Sequence, residues 1–334
     1  MEDASRAPGL ARARRPRAHR LHGRELGTLG GLALLCLALW AATPHFATVS
    51  NLVNVVEQSA IVGIVAAGMT FVIIGGGIDL SVGSILALAG IAFGLAFQAT
   101  GSIAVAAGAG LGVGLASGAV NGALVALGRL PPFIATLGMM SVARGLALML
   151  SDGRPISGYP DSFRALATGD LAGIPAPVLA MLAIYGLAHF VLTRTTLGRY
   201  TYAIGGNEEA ALLSGIDVRA VKTTMYGISG LLAATSALLL VARLDSAQPI
   251  AGMMYELDAI AAVVIGGASL LGGSGSVLGT LVGALIMAVL RNGLNLLGVS
   301  SYVQQVAIGA VIVVAVLVDM VLRRRTRLPV GDTA

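Results

Sequence analysis

Along the chain, apolar runs of roughly twenty residues alternate with short polar breaks, the spacing that bilayer-crossing helices require. Such runs occupy 28–45, 59–77, 81–98, 103–127, 131–150, 175–193, 222–243, 257–271, 276–297 and 302–321. The pattern predicts an all-α, polytopic membrane protein of about ten transmembrane helices. The eighth run is short and the fourth long. Phe46 to Ala60, FATVSNLVNVVEQSA, is too polar to span and predicts a short interfacial or re-entrant helix before span two. Residues 28–321 then form the membrane domain, between basic tails 1–27 and 322–334.

Composition and charge sharpen this picture. Hydrophobic residues make up 56% of the chain and charged residues 11%, against about a quarter charged in an average soluble domain. One soluble core could not hide so much apolar surface. Arg6, Arg12, Arg14, Arg15, Arg17, Arg20 and Arg24 crowd one terminus, and Arg323, Arg324, Arg325 and Arg327 the other. Flanking membrane spans, such clusters mark a cytoplasmic side rather than a nucleic-acid site. An even number of spans puts both termini on that side. Loop 194–221 with Arg194, Arg199 and Arg219, and Arg129, then fall inside; 151–174 and 244–256 fall outside. The first run is followed by many others, so it reads as an uncleaved helix, not a signal peptide. A single cysteine, Cys36, excludes a disulfide framework within the chain, and the four histidines are not spaced to hold a metal.

Some chemistry is absent. A phosphate-binding loop needs a Gly-rich turn ending in Gly-Lys-Ser/Thr, and Lys222, the lone lysine, follows Val221 with no glycine before it. No Ser-His-Asp or Cys-His set clusters on one side of the membrane, so no catalytic residue is expected. An ion-coupled secondary transporter is the alternative class. The intramembrane ionisable candidates are few: Glu57, Asp79, Arg144, Asp258, Arg291 and Asp319, with no span carrying the acids of a proton relay.

The stretch VIIGGGIDLSVGSILALAG, Val72 to Gly90, sets Asp79 and Ser81 after three glycines between two spans. Either residue could cap span three, or Asp79 could line a transport path. VVIGGASLLGGSGSVLGTLVG, Val263 to Gly283, echoes its order of apolar run, paired glycines and break. Glycine-interrupted segments in corresponding halves point to a transport pathway. Asn121, Asn292, Asn295, Gln304 and Gln305 are amides in or beside spans, each either solute-facing or a tie between helices. In the loop Gly198 to Lys222, Asn207 is a plausible N-cap, Glu208 and Glu209 suit a first turn, and Gly215 is a helix stop. That predicts a helix of about two turns, an ordinary surface helix or one that transmits a partner's motion.

GMTFVIIGGGIDLSVGS, NGALVALGRLPPFIATLGMMSVARGLALMLSDGRPI, GRYTYAIGGNEEAALLSGIDVRAVK and ELDAIAAVVIGGASLLGGSGSVLGTLVGALIMAVLRNGLNLLGVSSYVQQV together resemble the permease subunits of ribose-type ABC importers, in the branched-chain/ribose permease family. The resemblance runs from about Asn51 to Asp319. It implies a multi-pass protein of a bacterial inner membrane, working with a second permease copy or a homologous permease. It further implies a periplasmic sugar-binding protein and a cytoplasmic subunit that binds ATP and Mg, with no cofactor in this chain. Asn207, Glu208, Glu209, Ala210, Ala211 and Gly215 would form the coupling helix, fitting a Glu-Ala-Ala, three residues, Gly pattern. The translocation path would include Asp79, Ser81, Asn121, Asn292, Asn295 and Gln304. One position departs from the family pattern: Arg291 stands where Asn is usual, and a cation there must face protein or water rather than lipid.

Overall fold

The computed structural model describes residues 21–326. The arginines at 6, 12, 14, 15, 17, 20 and 327 lie outside the described residues. The helices, in order, are α1 (Leu21–Ala42), α2 (Val49–Ile74), α3 (Val82–Thr100), α4 (Ile103–Ala126), α5 (Pro132–Leu150), α6 (Asp161–Thr168), α7 (Ala176–Arg194), α8 (Thr196–Gly206), α9 (Glu208–Leu213), α10 (Val218–Leu244), α11 (Tyr255–Ile265), α12 (Val277–Leu296) and α13 (Ser301–Thr326). Two short antiparallel ribbons complete the described chain. β1 (Ile156–Ser157) pairs with β4 (Ser246–Ala247), and β2 (Asp170–Leu171) with β3 (Ile174–Pro175).

Local chemistry starts the helices where the chain must turn. The Ser102 hydroxyl accepts the Val105 N–H, that of Ser276 the Gly279 N–H, and the Asp217 carboxylate the N–H groups of Arg219 and Ala220. These bonds satisfy donors that a helix start leaves without partners. Pro132 and the proline preceding α7, Pro175, sit where a missing N–H costs nothing.

Seven of the described helices are long and apolar enough to cross a bilayer: α2, α3, α4, α5, α7, α10 and α12. The apolar parts of α1 and α13, Gly27–Ala42 and Ser301–Val314, are shorter. Two expectations change. The polar stretch before span two is no separate helix, because residues 49–74 form one helix of 26 residues, about 39 Å long. Asn51 and Ser59 of that stretch have partners in the protein: the Asn51 amide bonds with Asn292 of α12, and the Ser59 hydroxyl donates to the Val56 carbonyl. Second, the run 257–271 contains a helix of only 11 residues, α11, about 16 Å long against the roughly 30 Å of a hydrocarbon core.

The segment before α11 explains that short helix. Beyond β4 the chain does not stay at the end of the bundle as an outward loop. It doubles back along α3, with Ser246, Gln248 and Ala251 beside Leu86, Ala87 and Gly90. Arg144 of α5 holds it there, Nη1 donating to the carbonyls of Pro249 (2.7 Å) and Ala251 (2.8 Å). The Gly252 backbone then lies against Gly83 in the first turn of α3. α11 therefore begins inside the bundle.

α2 is the hub, 83% buried over its most apolar window, compared with 22% for α4 and α5. Tyr185 of α7 donates to the Gly63 carbonyl, Ser236 of α10 to that of Ile61, and the Thr70 and Thr280 hydroxyls meet at 2.9 Å. At the end of the bundle that carries β1 and β4, hereafter the ribbon end, Phe93, Phe97, Tyr159 and Phe163 form an aromatic cluster. Burial, and then the neighbouring Asp245 carboxylate, push the Tyr159 phenol up to about 12, so it stays a neutral donor to the Ile156 carbonyl.

α4 packs on α10 through small residues. A methyl on Gly118 would strike the Tyr226 carbonyl, and one on Gly122 would lie 2.5 Å from the Thr223 Cα. Only the absence of Cβ permits this approach, the usual way membrane helices gain contact. Gly118→Leu should therefore cost at least the 1–3 kcal/mol typical of overpacking, seen as a lower thermal midpoint in detergent. Gly112→Leu, on a face with nothing within 4 Å, should leave that midpoint unchanged.

Candidate functional site

The functional elements converge on two breaks in the helical framework and one short helix. The first break, residues 75–81, joins α2 to α3. Asp79 is fully buried there. Its Oδ1 accepts the Ser81 N–H (3.0 Å) and the Ser81 hydroxyl (2.5 Å), and its Oδ2 accepts the Ser229 hydroxyl of α10 (2.9 Å). Asn121 of α4 donates to the Ser81 oxygen at 2.8 Å. Three of the expected path residues thus meet in one buried cluster that ties the break to α4 and α10.

The capping expectation needs correction. The Ser81 side chain accepts no N–H from α3, and its backbone is already helical. Asp79 reaches only the N–H of Ser81 itself, because Ser229 and the Ser81 hydroxyl claim the rest of the carboxylate. Ser229 is missing from the sequence-based set. It lies 150 positions away, and a serine in an apolar run gives no signal of its own.

The remaining expected residues lie elsewhere. Asn292 and Asn51 exchange amide hydrogen bonds of 2.8 and 3.0 Å between α12 and α2. The Gln304 amide donates to the Asn295 Oδ1 (2.7 Å) and to the Val299 carbonyl (2.8 Å), closing the turn between α12 and α13. These contacts tie helices together. Gln305 is exposed.

The second break, residues 266–276, joins α11 to α12, and the fold brings it to the first. The Gly273 N–H donates to the Ile74 carbonyl at the end of α2 (2.8 Å). A Cβ on Gly272 would fall 2.8 Å from the Gly76 Cα and 2.7 Å from the Gly205 carbonyl. One on Gly205 would fall 2.5 Å from the Gly273 nitrogen. Tyr202 of α8 also donates to the Gly275 carbonyl (2.9 Å). The end of α8 is therefore seated, backbone against backbone, in both breaks.

α9 follows after a single residue. Asn207 ends α8 and caps α9, its Oδ1 accepting the Ala210 N–H at 2.9 Å. Glu208 and Glu209 occupy the first turn, Ala211 is buried, and the chain turns away after Ser214 at Gly215. Glu208 is held by Lys222 of α10 at 2.6 Å. Leu212 and Leu213, 63% and 89% exposed, protrude. Among the described residues no cluster of His, Cys, Asp or Glu is arranged to hold a metal.

Residues 51–316 match the family model described as the branched-chain amino acid transport system / permease component. The chain belongs to this family of transport permeases. It is 49% identical over 299 residues to the ribose import permease protein RbsC of Escherichia coli, covering 88% of this chain and 93% of that one. It is 46% identical over 292 residues to the RbsC of Haemophilus influenzae, covering 86% and 90%. To the L-arabinose transport system permease protein AraH of Escherichia coli it is 39% identical over 269 residues, covering 80% and 81%. No solved structure matches.

The Asp79 cluster makes a direct prediction. An amide at 79 offers one acceptor oxygen to three donors, so Asp79→Asn should destabilise the protein by about 1–3 kcal/mol. Ser229→Ala, which removes one hydrogen bond to a charged group, should cost about 1.5–3 kcal/mol. Thermal unfolding in detergent reads both, and an unchanged midpoint would show that the carboxylate does not hold the break.

Proposed function

We propose that this chain is the membrane-spanning permease subunit of an ATP-driven importer for ribose or a similar small sugar. The relatedness to ribose import permeases over nearly the whole length of both chains carries this reading. In it, the chain crosses a bacterial inner membrane about ten times, with the shorter apolar helices completing the seven long ones. α11 and the segment before it then act together as one crossing. Both termini and α9 lie on the cytoplasmic side, and the ribbon end faces outward.

The rest of the arrangement supports the reading physically. α9 serves as the coupling helix, its exposed Leu212 and Leu213 entering a groove on a separate ATP-binding subunit. ATP and Mg belong to that subunit, and this chain contributes no cofactor. A push on α9 passes through Asn207 to the end of α8, which touches both glycine breaks. No flexible side chain intervenes to absorb the motion, so the breaks and the helices leading from them move with it. Asp79, Ser81 and Asn121 keep the first break rigid enough to transmit the displacement. A second permease copy or a homologous permease completes the membrane part. A periplasmic sugar-binding protein delivers the solute at the ribbon end.

Proteoliposomes holding the complete transporter should take up D-ribose only with ATP, and uptake should persist when an ionophore collapses the proton gradient. Loss of uptake on collapse would instead assign an ion-coupled carrier. Replacing Leu212 and Leu213 together by Ser should reduce solute-stimulated ATP hydrolysis at least tenfold while thermal stability stays unchanged. Retained stimulation would remove α9 from the coupling path.

A further inference from the structure

α2, α11 and α12 border a small open cleft of about 40 Å³ lined by Gln58, Ser59, Asp258 and Arg291 beside Val62 and Met287. We infer that this cleft is a solute-contacting site of the translocation path, with Arg291, Asp258 and Gln58 as its hydrogen-bonding groups and a neutral polyhydroxylated molecule as its ligand. The choice of ligand rests on the import reading above. None of Asp79, Ser81, Asn51 or Asn292 lines it.

Arg291 Nη2 donates to Asp258 Oδ2 at 2.6 Å. The pair is joined on one side only. The remaining guanidinium N–H groups and the second carboxylate oxygen have no hydrogen-bond partner among the described residues. The amide of Gln58 has none either, and Gln58 is exposed. Arg291 itself is 41% exposed, while Asp258 is 5% exposed. Gln58 lies early in α2, Asp258 in the first turn of α11 and Arg291 in the last third of α12. An arginine turned towards hydrocarbon at a helix centre costs about 2.5–3.5 kcal/mol on insertion scales, so the open side of the cleft faces water or protein.

The chemistry selects the ligand class. A hydroxyl both donates and accepts, a carboxylate only accepts, a guanidinium only donates, and an amide does both. Side by side, the three match neighbouring hydroxyls of a sugar. The ion pair is neutral in sum, and its more exposed member is the donor Arg291, so solute hydroxyls accept from it. The cleft has room for a few hydroxyl-sized groups, so a sugar touches it with one edge rather than sitting inside it.

The opposing reading is a clamp that merely joins α11 to α12. A charge swap separates the two. In proteoliposomes with the full transporter and D-ribose as probe, Arg291→Gln and Asp258→Asn should each lower uptake at least tenfold. The double variant Asp258→Arg with Arg291→Asp should recover the thermal midpoint without recovering uptake. Full recovery of uptake by the swap, or wild-type uptake by both single variants, would overturn the assignment. Independently, Ala288→Cys in a Cys36→Ala background should react with a membrane-impermeant thiol reagent and be protected by D-ribose. Reaction only with a lipid-soluble maleimide, or no protection while wild-type uptake is intact, would also overturn it. If the wild-type complex does not take up D-ribose at all, the import reading fails by itself. The impermeant reagent then still decides whether the cleft is wet.

Discussion

Non-helical backbone inside a bilayer must find its hydrogen bonds within the protein, because lipid offers none. Everything unusual in this molecule follows from meeting that demand in three places: residues 75–81, 248–254 and 266–276. Each is tied to the neighbouring helices by named hydrogen bonds. Asp79 and Ser229 organise the first, Arg144 satisfies carbonyls of the second, and the Ile74 carbonyl takes the Gly273 N–H of the third. The hub helix α2 touches two of these places, so its burial reflects structural need as much as apolarity.

Small residues make these ties possible. Where Gly205, Gly272 and Gly76 meet, peptide groups approach as closely as strands do, and no side chain fills the gap. Contact of this kind is stiff, because it has no rotamers to adjust. The protein thus combines a rigid junction at one end with a half-open ion pair nearer the other. The first suits transmission of movement and the second suits brief contact with a polar solute.

Much of this was legible from the chain, for local reasons. α9 follows from neighbouring residues alone: an N-capping Asn207, two acids in the first turn and Gly215 beyond the end. The long apolar helices follow from length and hydropathy. What failed was tertiary in origin. The apolar run through 257–271 hides a helix end, because Gly266 packs against Gly279 of α12 and the chain turns there. The polar stretch before span two reads as surface until Asn292 supplies a partner from α12. Arg291 was recognisable as a cation in need of company, and Asp258 as an acid at a span edge. Their pairing across 33 positions was not readable. A single sequence shows which residues are costly in lipid but not which neighbour relieves each cost.

The brevity of α11 bears on how the molecule is made. A segment of 11 helical residues that carries Glu256 and Asp258 in its first turn is a poor candidate for entering the bilayer by itself during synthesis. Its place exists only after α3, α5 and α10 have formed the walls that Arg144 and Gly83 contribute to. Residues 248–265 therefore depend on those walls for the partners of their backbone. Without α12 as well, Asp258 would stand at the start of α11 without the Arg291 that pairs with it.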